Sequence, residues 1–87
     1  MMRGIFHQKF RKRYRKLRRG EKEQTNERVR LFYRDPFHPL LDNHALQGKY
    51  QGYRSINITG DLRAVYEKIS EEIVQFVALG THAELYE

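Results

Sequence analysis

Two rhythms of apolar and polar residues divide the chain. From Lys9 to Arg19 the apolar positions Phe10, Tyr14 and Leu17 recur at i, i+4 and i+7, the spacing of one helix face, and everything between them is basic. Gly20 is expected to end that helix. A second helix is predicted from about Glu21 to Arg34, with Thr25, Val29 and Phe32 on one stripe, acids early where they suit the helix dipole, and Asp35-Pro36 as its stop. Ahead of both, residues 3 to 7 read as an entering strand. After Gly52 the rhythm changes to that of a sheet: Tyr53 to Ile58, Leu62 to Lys68 and Ile73 to Leu79, joined by Thr59-Gly60-Asp61 and Ser70-Glu71-Glu72, links short enough for hairpins. The third run is apolar on both faces, which predicts a strand in the interior of the sheet. Between the halves, Pro36 to Gly52 holds two prolines and two glycines and reads as a crossing loop with one helical turn near His44. The expected fold is α+β, β-α-α-β-β-β, with two N-terminal helices on a small, mainly antiparallel sheet and a short C-terminal helical turn.

Size and charge narrow the possibilities. A chain of 87 residues has room for one domain spanning 1–87, burying only about 60–65% of its unfolded surface. The net charge is +6, and nine cations, from Arg3 to Arg19, precede the first acid at Glu21. Such a block attracts a polyanion, because phosphates or carboxylates displace its counterions. The absence of cysteine excludes disulfides and thiolate metal sites and fits a reducing, cytoplasmic setting. No apolar run is long enough for a membrane span, and no membrane partner is expected. The acid-free start resembles a transit peptide only superficially, because Phe6, Phe10, Tyr14 and Leu17 are needed as core contacts. His38, Asp42, His44 and His82 match no standard zinc spacing, so no metal or other cofactor is expected.

The C-terminal half also carries side chains capable of acid–base work: His44, Arg54, Asp61, Arg63 and His82. Metal-independent RNA cleavage by the 2′-hydroxyl needs a base for its proton, an acid for the leaving 5′-oxygen and a cation at the phosphorane. Histidine suits the first two roles, and the arginine fork, always charged, suits the third. Tyr86 follows His82 by four residues, so a helical tail places both on one face, where the ring could stack on a base.

Four motifs occur in a fixed order: His44-Ala45-Leu46-Gln47-Gly48, Gly52-Tyr53-Arg54, Gly60-Asp61-Leu62-Arg63-Ala64-Val65-Tyr66 and Gly80-Thr81-His82-Ala83-Glu84-Leu85-Tyr86. In that order the chain resembles the RelE/ParE superfamily of bacterial toxins, and within it the YafQ branch. The resemblance implies a ribosome-dependent mRNA endonuclease acting in the 30S A site and neutralised by a cognate antitoxin. It implies that His44, Asp61 and His82 match the branch's catalytic histidine, aspartate and C-terminal histidine, and that Arg63 matches a strand arginine of the RelE branch. Under it, His82 is the expected general acid and His44 or Asp61 the base. Arg54, Asn57 and Tyr86, with Arg11, Arg15 and Arg18 of the basic segment, are the expected RNA contacts. One position departs: where the branch has a further histidine this chain has Asn57, which cannot exchange protons near neutral pH. That departure keeps a second class open, a noncatalytic interaction module of the same fold, gyrase-directed or attenuated. A generic RNA-binding domain would explain the basic block but not the Gly80-Thr81-His82 motif.

Overall fold

The computed structural model describes residues 2–86. Strand β1 (Arg3–Phe6) leads into helix α1 (Gln8–Arg15), and α2 (Arg19–Arg34) follows after a short break. The first helix is shorter than its periodicity predicts and Gly20 is not its end. Lys16 closes α1, Leu17 is already past it, and Gly20 lies inside the first turn of α2. The cause is capping: Arg18 is extended, and its N–H donates to Glu21 Oε1 at 3.0 Å, so the acid three residues ahead starts α2 earlier than the glycine suggests. The stripe in α2 is as predicted, with Thr25, Val29 and Phe32 all buried, and Asp35 ends the helix.

The crossing loop is more structured than a loop with one turn at His44. Single 3-10 turns at Pro39–Leu41 and Gly48–Tyr50 flank a two-residue strand, β2 (His44–Ala45), so His44 lies in a strand between the turns. The remaining strands are β3 (Arg54–Asn57), β4 (Leu62–Lys68) and β5 (Ile73–Thr81), and the chain ends in a short helix, α3 (His82–Tyr86). Strand order is β1-β5-β4-β3-β2. All pairs are antiparallel except β1 with β5, so β5 is interior as its two-sided apolar run predicts, although β4 is the middle strand.

The helices cover one face of the sheet. Phe10 and Phe32 meet Phe76 at ring-centroid distances of 5.7 Å each, and Phe32 meets Tyr66 edge-on at 4.7 Å, so Phe76 and Tyr66 face the helices. This aromatic cluster, with Ile56, Leu41 and Val74, is the core. Gly4 on β1 is required by close approach: a side chain there would strike the Tyr33 hydroxyl. A bulge sets Val65 opposite Ala78 but Tyr66 opposite Phe76, leaving Val77 as the extra residue. Beyond the bulge, Arg63 pairs with Gly80 on one side and with Asn57 on the other.

Candidate active site

Each of the site's main side chains is held by local backbone chemistry. Asp42 adopts a left-handed conformation (φ 45°), which an aspartate tolerates better than most residues, and its carbonyl lies 2.7 Å from His44 Nδ1. A carbonyl only accepts, so Nδ1 carries the proton and Nε2 keeps a free lone pair in the neutral ring. The Asp42 carboxylate lies 3.9 Å from the same nitrogen. On β4, the Arg63 guanidinium donates to the carbonyls of Thr59 (3.0 Å), Gly60 (3.2 Å) and Leu62 (3.3 Å), which fixes its fork across the β3–β4 turn.

His82 opens α3, and α3 is set by a reciprocal cap. The Thr81 N–H donates to Glu84 Oε1 at 2.8 Å, and the Glu84 N–H donates to Thr81 Oγ1 at 3.2 Å. Arg13 of α1 adds an ion pair to the same carboxylate oxygen at 2.9 Å. The Arg13 hydrogen bond, then that of the Thr81 N–H, hold the Glu84 carboxyl down at about 2, from an ordinary 4.5. Leu85 is buried, and the His82 ring meets Tyr86 at 4.8 Å and 61°.

These elements enclose a groove of about 310 Å³ lined by His44, His82, Arg63, Tyr86, Ser55 and Gln47, with Asp42 and Leu46 at its margin. Ser55 sits directly opposite His44 in the β2–β3 pairing. It is fully buried, and its hydroxyl has no hydrogen-bond partner among the described residues. Three further buried polar atoms lack a partner among the described residues, Arg13 Nε, Asn57 Oδ1 and the Tyr86 hydroxyl. Two imidazoles and a fixed guanidinium around one opening can take and give protons while holding an anion between them. No group of three or more His, Cys, Asp or Glu among the described residues is placed to hold a metal ion.

Thus His44, Arg63, His82 and Tyr86, dispersed in sequence, converge on one groove. The others lie outside its lining. Asp61 is in the β3–β4 turn, where its N–H points to Thr59 Oγ1 at 3.3 Å. Arg54 is committed to the crossing loop: its Nε donates to Asn43 Oδ1 at 2.8 Å and its fork lies 5.4 Å from the Phe37 ring. Asn57 is cross-strand from Arg63, two residues beyond Ser55. Arg11 and Arg15 line a different groove, between α1 and α2, and Arg18 is the exposed cap residue of α2. Sequence reasoning missed Asp42 as the partner of His44, and it missed Ser55 and Gln47. Only Asp42 left a signal, its position two residues before His44. Ser55 becomes visible only through strand pairing.

A mixed sheet of order β1-β5-β4-β3-β2 with helices on one face is the RelE/ParE-like toxin fold. Residues 3–87 match the family described as bacterial toxin of type II toxin-antitoxin system, YafQ, and the chain belongs to that family. The mRNA interferase toxin YafQ of Escherichia coli (strain K12) is 33% identical over 51 residues, covering 59% of this chain. The matched stretch spans 54% of that relative, about half its length. The crystal structure of YafQ from E. coli strain BL21(DE3) superposes with a TM-score of 0.82 at 19% identity over 100% of both chains. YafQ in the E. coli DinJ–YafQ complex gives 0.69 at 21% over 100% of both. A YoeB/ParE toxin from Agrobacterium tumefaciens gives 0.77 at 25% identity, over 93% of this chain and 99% of that one.

Proposed function

We propose that this chain is an mRNA-cleaving endoribonuclease toxin that works by metal-independent acid–base chemistry. The observation that carries the reading is the convergence of His44, with its Nε2 free, His82 and Arg63 on one groove. His44 Nε2 takes the 2′-hydroxyl proton, and the 2′-oxygen attacks the adjacent phosphorus. Arg63 holds the phosphorane charge, and His82 gives its proton to the departing 5′-oxygen, leaving a 2′,3′-cyclic phosphate and a 5′-hydroxyl end. Asp61 acts through the turn that carries Arg63, not as the base. Tyr86 packs on His82 and holds that ring in place.

The message is met on the ribosome, in the 30S A site, in the cytoplasm, with the basic helical side against ribosomal RNA. No described helix is long and apolar enough to cross a membrane. The partner that silences the toxin is a cognate antitoxin, as DinJ accompanies YafQ in the E. coli complex. A groove of about 500 Å³ between α1 and α2 supports such a partner. It is floored by Phe6, Phe10, Tyr14 and Val29 and rimmed by Arg11, Arg15 and Arg30, the complement of an acidic, amphipathic segment.

Asn57 favours a second reading, a noncatalytic module of the same fold bound by an antitoxin. One experiment separates the two. The purified chain is added to a translating extract, with and without EDTA, and the 5′ ends of a reporter mRNA are mapped beside His82→Ala and an idle-ribosome control. Cuts that need translation, survive a level of EDTA that the ribosomes tolerate and fall about 100-fold or more in the variant support the nuclease. Cuts in naked RNA remove the ribosome from the reading. No cuts with wild-type protein move the assignment to the noncatalytic module.

A further inference from the structure

A second groove, of about 380 Å³, is lined by Glu67 and Gln75 of the sheet together with His7 and Lys9 at the start of α1, and nothing in the nuclease reading uses it. Tyr66 and Phe76 point at the helices, so their neighbours Glu67 and Gln75 point the other way. These two are direct cross-strand partners on β4 and β5 and form the groove's floor. Neither side chain has a hydrogen bond or ion pair among the described residues. Tyr50 and Tyr53 form a wall, and Lys9 and Lys49 supply the cationic groups of the lining, beside His7, whose Nδ1 accepts from the Lys9 N–H at 3.0 Å. Lys49 Nζ lies 5.3 Å over the Tyr50 ring.

The two grooves share an aromatic partition. Tyr86, in the lining of the first, meets Tyr50 edge-on at 6.0 Å, and Tyr50 meets Tyr53 at 6.1 Å. With the His82–Tyr86 contact of 4.8 Å, an unbroken row of four rings leads from the candidate active site into the second groove. The parts of the second groove match the parts of a nucleotide: an aromatic wall for the base plane, cations at the opening for phosphate, and an acceptor beside an amide on the floor for the base edge. The carboxylate also decides orientation. A phosphate on the floor would face Glu67, whereas an exocyclic amino group would donate to it.

We propose that this second groove is a nucleobase subsite that takes a single-stranded RNA base carrying an exocyclic amino group, adenine, cytosine or guanine in preference to uracil. The occupant is the message nucleotide that flanks the scissile phosphate. That last placement rests on the nuclease reading; the binding of a base does not. Uracil is disfavoured because it has no exocyclic amino group and its single edge donor, N3–H, lies between two acceptors, O4 and O2, that face the Glu67 carboxylate.

The test is a titration of the ¹⁵N-labelled protein with 2′-O-methylated trinucleotides of A, C or U, which cannot be cut by 2′-hydroxyl attack, and with inorganic phosphate as control. The A and C trinucleotides are expected to shift the Gln75 side-chain amide and the backbone of Tyr50 and Tyr53, and U to bind about fivefold more weakly or worse. Glu67→Gln, whose amide can donate to O4, is expected to shrink that difference below about twofold, and Gln75→Ala to weaken A and C alike. Shifts confined to the His44–His82 groove, the same shifts with phosphate alone, no shifts, or a ranking unchanged by Glu67→Gln would overturn the subsite. Mapping of 5′ ends in the translating extract is run beside it. Wild-type cuts should prefer A, C or G to U at one flanking position, and Glu67→Gln should relax that preference. Absence of wild-type cuts defeats the nuclease reading alone and leaves the titration to decide the base site.

Discussion

His44 owes its proton-accepting form to one backbone atom, the Asp42 carbonyl that claims Nδ1–H. Glutamine at this position keeps a donor for that carbonyl but cannot serve as a base. His44→Gln should therefore leave the fold intact by circular dichroism and lower the cleavage rate by about 100-fold or more. Ser55 poses the opposite case. Its buried hydroxyl has no partner in the free protein, an arrangement that costs stability and persists where a site uses the group. Ser55→Ala is expected to stabilise the protein by up to about 1 kcal/mol in chemical denaturation. Because Ser55 belongs to the lining of the groove and sits opposite His44 in the strand pairing, the same variant should cut more slowly; equal or faster cutting would make Ser55 a packing residue only. The two predictions differ in sign, so loss of fold cannot imitate them.

At the scale of elements, α3 has five residues and too little surface to hold itself, so its cap and its tie to α1 determine where His82 stands. Glu84 accepts from both Arg13 and the Thr81 N–H, and its folded value of about 2 lies below its unfolded 4.5. A depressed carboxyl contributes stability that is fully present above about pH 4.5 and is lost as pH falls toward 2. The pair is partly exposed, so solvent screening keeps its worth below about 1 kcal/mol. Glu84→Gln should thus shift Tm by only a few degrees, about 8 °C at most, while lowering cleavage several-fold through a misplaced His82. On acidification between those limits, amide exchange should open α3 before the sheet. Much at this scale was legible in sequence. The alternation of Leu62 to Lys68 gave β4 its bounds, and the Thr25-Val29-Phe32 stripe gave the buried face of α2. Two things were not. Helix starts depend on Arg18 and Glu21 meeting in space, which outweighed the expectation at Gly20. The pairing of His44 with Ser55 depends on strand register, which a two-residue strand in a proline-rich loop does not announce. The same dependence on tertiary placement hides the partners of Arg54, whose Nε donates to Asn43 Oδ1 and whose fork lies 5.4 Å from the Phe37 ring.

Across the whole molecule, charge and chemistry are divided between surfaces. Arg11, Arg15 and Arg30 rim the groove on the helical side, whereas His44, Arg63 and His82 gather at the open end of the sheet. With a net charge of +6 and nine cations before Glu21, the proposed association with ribosomal RNA would be a matter of counterion release. It also makes the helical side a target for competition, since an acidic antitoxin segment in the α1–α2 groove and RNA phosphate would call on the same guanidinium groups. Arg11→Glu/Arg15→Glu tests this division. Its ribosome affinity, measured by cosedimentation across a salt series, should fall less steeply with salt than that of the wild type. The difference in log–log slope should be about 0.7–0.9 for each phosphate that the variant no longer neutralises. The double variant should also lose affinity for an acidic antitoxin segment, while His82→Ala, which leaves the helical side untouched, should keep both the wild-type slope and the wild-type affinity. A slope unchanged by charge reversal would show that the basic helix does not face RNA, and the groove's open end would then have to supply the phosphate contacts by itself.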